Sequence, residues 1–160
     1  MIAWLVLRSK RCFRARPIAV VVLALLLLTA CSVKPKSRED DTTTDFRHIA
    51  SAYDIVQSGK NRPPKDIDEL RKVLTELHDA KLMPAPDDVL ISSRDGLPYV
   101  IVFGLSLGAQ VSHDIFIYEQ RGFDGQRYVM TMSRNVQQLS EDGFRGATFA
   151  KGHRPAPPSS

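Results

Sequence analysis

The chain has 160 residues, the size of about one domain, with 22 Lys and Arg against 18 Asp and Glu and a formal charge of +4. Five of those cations and none of the acids fall in residues 1–30, leaving 17 against 18 in the remainder. The basic excess that would suggest nucleic acid is therefore confined to the first stretch. The cysteines are Cys12 and Cys31. Beyond residue 31 no thiol remains for a disulfide framework, a cysteine metal site or a thiol nucleophile, so packing alone holds the domain.

Arg8, Lys10, Arg11, Arg14 and Arg16 form a cationic block, and Pro17 to Leu28 is an unbroken apolar run. With the small residues that follow, this is the order of an export signal, expected over 1–30. The run falls short of the roughly 20 apolar residues that cross a bilayer core. Leu28-Thr29-Ala30-Cys31 resembles the bacterial lipobox. The resemblance implies cleavage between Ala30 and Cys31, a diacylglycerol thioether on the Cys31 sulfur, and an acyl chain on the new amino group. One acyl chain holds a protein only reversibly, whereas several anchor it stably. The location implied is the cell envelope, facing the periplasm. Ser32, at a position where Asp would favour inner-membrane retention, implies the outer membrane. The competing reading is a signal anchor with an incidental cysteine.

Ser32 to Thr44 mixes charged residues, Pro and a Thr triplet with almost nothing apolar, which predicts a solvated tether over 31–44. A folded domain is expected over 45–149. Phe46, Ile49, Ala50, Tyr53 and Val56 have helical spacing and predict a helix over Asp45 to Ser58, capped by Thr44 or Asp45 and closed by Gly59. Asp66, with Glu69 three residues on, caps a second helix whose apolar stripe is Ile67, Leu70, Val73, Leu74 and Leu77. That helix should end near Asp79, before Pro84 and Pro86.

The pattern then becomes that of strands. Val89-Leu90-Ile91 predicts a short strand, Ser92 to Gly96 a turn, and Tyr99 to Phe103 a second strand. Gly104-Leu105-Ser106-Leu107-Gly108 reads as a flexible loop with exposed leucines. Asp114 to Glu119 alternates, placing Ile115 and Ile117 opposite Phe116 and Tyr118. Gly122-Phe123-Asp124-Gly125 turns the chain, Tyr128 to Met132 returns it, and Val136 to Leu139 makes a last short strand. A helical turn capped by Ser140 follows, with Phe144 and Phe149 packing back. Residues 150–160, rich in Pro and Ser, should be a disordered tail. The expected fold class is α+β, two N-terminal helices packed on one face of a small antiparallel sheet.

Gly59, Pro63-Pro64, Asp68-Glu69-Leu70 and Arg94-Asp95-Gly96-Leu97-Pro98-Tyr99-Val100 resemble the turn and strand-start motifs of type II secretion pseudopilin and prepilin-like heads. Gly125-Gln126-Arg127-Tyr128-Val129-Met130 and Leu139-Ser140-Glu141-Asp142-Gly143-Phe144 are similar to their C-terminal part. Ser133-Arg134-Asn135 departs from the family's Asp-Gly-His triplet. The methylated start and the long polymerising helix are not present either. The resemblance implies a pilin-like head on a lipid anchor that does not assemble through the usual helix core.

The histidines are His48, His78, His113 and His153. His48 has Asp45 and Ser51 within one helical turn, which reads as a polar helix face rather than a catalytic pair. His113-Asp114 opens a strand without the close ligand spacing that zinc sites use. Asp114, Glu119 and Asp124 are the acids to weigh for calcium, which pseudopilin heads bind near their C-terminal strands. Calcium takes six to eight oxygens, and these three are spread along a strand and a hairpin beside Arg121. The Gly104 to Gly108 segment matches neither a phosphate loop nor a nucleophile elbow. The expectation is a non-enzymatic, lipid-anchored envelope protein acting as a binding or assembly module beside a secretion or pilus-like system; the alternatives are a small periplasmic enzyme built on His113, Asp114 and Asp124, and a purely structural envelope lipoprotein. No catalytic, cofactor or metal residue is expected. The expected partners are the membrane, through lipid on Cys31, and an envelope protein, with no nucleic acid.

Overall fold

The computed structural model describes residues 38–107 and 112–156; Cys31 and the signal-like stretch 1–30 lie outside them. The described chain is α+β. Helix α1 spans Arg38–Lys60. Its buried residues Thr42, Asp45, Phe46, Ile49, Tyr53 and Val56 recur three or four apart, making one stripe. The helix starts upstream of the expected Asp45, so Arg38 to Thr44 is helix rather than tether. The reason is local: Thr42 extends the stripe by another turn and is fully buried. Thr44 Oγ1 donates to the Asp40 carbonyl at 2.7 Å. The helix also runs past Gly59. It stops before Asn61, which takes the left-handed conformation at φ 50° that Asn tolerates.

Helix α2 spans Ile67–Asp79, and Asp66 Oδ1 accepts the Glu69 N–H at 3.1 Å as its N-cap. Leu70 and Leu74 are its fully buried residues. Val89 and Leu90, expected in a strand, close a short helix α3, Pro86–Leu90. Pro86 with Asp87 and Asp88 is a strong helix start, and this outweighs the apolar triplet. Only Ile91 is extended, bridging to Pro98 around the Ser92 to Gly96 turn.

The sheet is an antiparallel meander in the order β1 (Val100–Ile101), β2 (Ile115–Tyr118), β3 (Gln126–Thr131), β4 (Val136–Ser140). Between β2 and β3, Asp124 and Gly125 both have positive φ, at 53° and 69°. Phe123 and Gln126 exchange backbone hydrogen bonds of 2.9 and 3.1 Å across them, which is the primed two-residue turn that suits strand twist. Helix α4 (Glu141–Arg145) follows, its Ser140 cap accepting from Gly143 N–H at 3.1 Å, and then a 3₁₀ turn, Ala150–Gly152.

Both faces of this sheet are covered. Ile101, Ile117 and Met130 lie in register and share a core with Phe46, Ile49, Tyr53, Leu70 and Leu74. Phe46 meets Tyr99 and Tyr53 meets Phe116 edge to face, at ring-centroid distances of 4.9 and 6.1 Å. Val100, Tyr118 and Val129 form the other face, where Phe144 and Phe149 pack. All four residues of β2 are buried. Its expected alternation is broken by a bulge between Ile115 and Ile117, so Phe116 joins Ile117 in the first core and Ile115 joins Tyr118 in the second.

Two further expectations change. Leu105 and Leu107 are buried, not exposed, because two side chains of α1 hold the backbone of their loop. Tyr53 Oη accepts the Leu105 N–H at 2.8 Å. The Gln57 amide accepts from Leu107 N–H and donates to its carbonyl, both at 3.0 Å. Of the disordered tail expected from residue 150, the stretch Ala150 to His153 is instead packed against the sheet. Ala150 is 1 % exposed, and Ile115 N–H donates to the Thr148 carbonyl at 3.0 Å.

Candidate functional site

The second sheet face carries a cleft lined by charged and aromatic side chains. Strand β3 presents Arg127, α4 presents Glu141 and Phe144, and the chain after it adds Phe149 and His153, with Tyr118 of β2 buried behind these rings. The Tyr118 ring lies 5.1 Å from Phe144, 5.6 Å from Phe149 and 5.9 Å from His153. Its hydroxyl shares a 2.8 Å hydrogen bond with His153 Nε2. Burial pushes the phenol pKa up, with the Arg127 charge opposing, so Tyr118 serves here as a neutral hydrogen-bonding group.

Arg127 is fully committed. Its guanidinium lies 4.5 Å from the Phe144 ring centroid. Nε and Nη2 donate to the two Glu141 oxygens at 2.6 and 3.0 Å, and Nη1 donates to the Gln120 carbonyl. A planar guanidinium satisfied on both edges and stacked on a ring is a rigid wall. Around it opens a cleft of about 570 Å³, lined also by Arg145, Ala147, Phe149 and Pro155. A smaller hollow of about 260 Å³ on Val100 and Gln120 shares Arg127 and the His153 to Ala156 strip with it. The size suits a small molecule or one or two side chains of a partner. Aromatic rings and the exposed Arg145 and Arg154 favour an apolar group carrying an anionic end.

A second polar cluster fastens the fold. Glu119 is fully buried and accepts from Ser92 Oγ at 3.1 Å and Tyr128 N–H at 2.8 Å. Asp95 Oδ2 accepts from Arg121 and Gly122 N–H at 3.0 and 2.8 Å, and its Oδ1 from Leu97 N–H at 3.0 Å. These contacts lock the Ser92 to Gly96 turn onto the β2–β3 hairpin.

The residues considered from sequence are not brought together. His113 is exposed and Asp114 half-buried before β2, whereas Asp124 is exposed at the hairpin tip beyond its other end. Glu119 has both oxygens engaged and faces inward. His78 lies on α2, its Nδ1 3.3 Å from the Met83 carbonyl oxygen, and His48 is half-buried on α1. Among the described residues, no group of three or more His, Cys, Asp or Glu is placed to hold a metal. The histidine that does join a cleft is His153, which the reading as tail had set aside. Its spacing of four from Phe149 was the available signal.

No family model matches the chain, and searches of curated proteins and of solved structures give no match.

Proposed function

We propose that this chain is a lipid-anchored cell-envelope protein whose α+β domain is a non-catalytic binding or assembly module. The observation that carries the proposal is Leu28-Thr29-Ala30-Cys31 directly after a cationic block and an apolar run. In this reading Cys31 bears the lipid and the domain from Arg38 onward faces the periplasm, with Ser32 favouring the outer membrane. Its ligand is an apolar group with an acidic end. Phe144 and Phe149 take the apolar part, and Arg145 and Arg154 take the charge.

The fold is read as pilin-head-like. Support comes from α1 followed by a Pro63-Pro64 turn, α2, the Asp95-Gly96-Leu97-Pro98-Tyr99 turn into β1, and an antiparallel meander. A link to a secretion or pilus-like apparatus follows from that resemblance.

Intact-mass analysis of membrane fractions from cells expressing wild type and Cys31→Ala tests the anchor. The expected wild-type product begins at residue 31 and carries diacylglycerol and acyl mass, both lost in the variant. A product with its original N-terminus and no lipid would replace the lipoprotein with a signal-anchored protein.

A further inference from the structure

After Phe149 the chain passes through two consecutive left-handed residues, Lys151 at φ 54° and Gly152 at φ 64°. A Cβ built on Gly152 would meet no atom within 4 Å, so the backbone stands clear of its neighbours there. Beyond this point the backbone loses its partners. Gly152 N–H donates to the Phe149 carbonyl at 3.2 Å and His153 N–H to the Ala150 carbonyl at 3.1 Å. Among the described residues no backbone–backbone hydrogen bond involves Arg154, Pro155 or Ala156. The segment is fastened through a side chain instead, by the 2.8 Å hydrogen bond between His153 Nε2 and the Tyr118 hydroxyl. Tyr118 itself is 3 % exposed, whereas Arg154 and Ala156 lie on the surface.

The same segment partitions the cleft. The hollows of about 570 and 260 Å³ have Arg127 and His153 to Ala156 in common, and no other residue lines both. Arg127 is tied to Glu141 and to the Gln120 carbonyl, so it is a fixed part of the floor. His153 to Ala156 is the part that can move.

We infer that His153 to Ala156 is a strap, hinged at Lys151-Gly152 and latched by His153 on Tyr118, which lifts when the cleft takes its ligand. The inference rests on the reading of this cleft as a site for an apolar group with an anionic end. Closed, the strap occupies part of the space that such a ligand would fill. Lifted, it makes the two hollows one trough over Arg127. A closed strap lowers the apparent affinity by the fraction of molecules that stand open, because each binding event must first release the latch. Tyr118 separates this from a simple change of cleft shape. It does not line the larger hollow, so its hydroxyl bears on a ligand there only through His153.

The test titrates 4-phenylbutyrate, an apolar ring with a carboxylate end, into the full chain in mild detergent, with micelles alone as the blank. It follows the ring nitrogen resonances of His153, assigned by their loss in His153→Ala. In wild type these resonances should shift on binding as the latch opens. Tyr118→Phe keeps the ring and removes the latch, and it should bind roughly three- to tenfold tighter, as one hydrogen bond lost from the closed state implies. His153→Ala should do the same. The double variant should be no tighter than either, since both changes delete one shared bond. Melting curves within a few degrees of wild type show that the variants are folded. Binding to wild type with unmoved His153 resonances would overturn the strap and leave the ligand site standing. Equal affinities of wild type and folded variants, or additive gains in the double variant, would do so too. Absence of binding in wild type and in both variants would overturn the ligand site, and the strap with it.

Discussion

Arg94 Nε lies 3.5 Å from Glu119 Oε1, with both side chains sealed from solvent. The guanidinium also stacks 4.5 Å from the Tyr128 ring centroid, and its Nη2 donates to the Phe123 carbonyl at 3.3 Å. Burial pushes the Glu119 pKa up, while the Tyr128 N–H, the Arg94 charge and the Ser92 hydroxyl oppose that rise. Arg94→Ala leaves a buried carboxylate without its counter-charge and should cost about 3–5 kcal/mol near pH 7 by urea unfolding. Since the folded pKa lies above the unfolded one, the folded state holds the proton more tightly and protonation favours folding. The deficit of the variant should therefore shrink as pH falls from 7 towards 4.5. A deficit constant across that range would mean that packing, not charge, is lost.

Glu69 behaves in the opposite sense. It accepts from Arg62 at 2.6 and 2.9 Å, from Lys60 at 3.0 Å and from Lys65 N–H at 3.1 Å, which holds its carboxyl well below the usual range. A depressed folded pKa gives stability that is present above the unfolded value and lost as pH falls below it. Glu69→Gln should melt earlier than wild type at pH 7. The gap should close progressively once pH drops below the unfolded value of 4.5.

The loop carrying Leu105 and Leu107 depends on two side chains of α1. Tyr53→Phe leaves the Leu105 N–H unpaired in a buried site and should cost about 1–3 kcal/mol. Gln57→Ala frees both backbone groups of Leu107. In either variant, hydrogen exchange should speed up at the affected leucine while the β3 amides change little.

Gly122 has φ 78°, and a Cβ built on it would lie 2.3 Å from the Gln126 carbonyl oxygen and 2.7 Å from Arg127 Cγ. Gly122→Ala should destabilise by roughly 2–4 kcal/mol, combining left-handed strain with a clash against backbone. Gly125→Ala meets no atom and should cost only the strain. The difference in urea midpoint between the two variants isolates the clash.

Local chemistry that acts alone was legible in the sequence. The Asp66 cap, the Asp124-Gly125 hairpin and the Ser140 cap each rest on a few adjacent residues, and each formed as read. What escaped depended on partners far along the chain. Leu105 and Leu107 look like loop residues until Tyr53 and Gln57, some fifty positions earlier, supply their hydrogen bonds. The bulge in β2 is invisible because it belongs to the pairing with β3 rather than to the strand itself. The cleft was partly legible: Phe144 and Phe149 were read as packing back, but His153 needed the Tyr118 hydroxyl to hold it.

The second core has a consequence in time. The side chains that close it, Phe144 and Phe149, come from the final part of the described chain, and α1 from its beginning covers the opposite face. A nascent chain stopped after β4 would have one layer of its sheet still wet, with Tyr118 and Val129 uncovered. Such a chain completes its burial only once the segment carrying Phe144 and Phe149 has been added. Until then Tyr118 and Val129 are an exposed apolar surface, open to a chaperone or to aggregation.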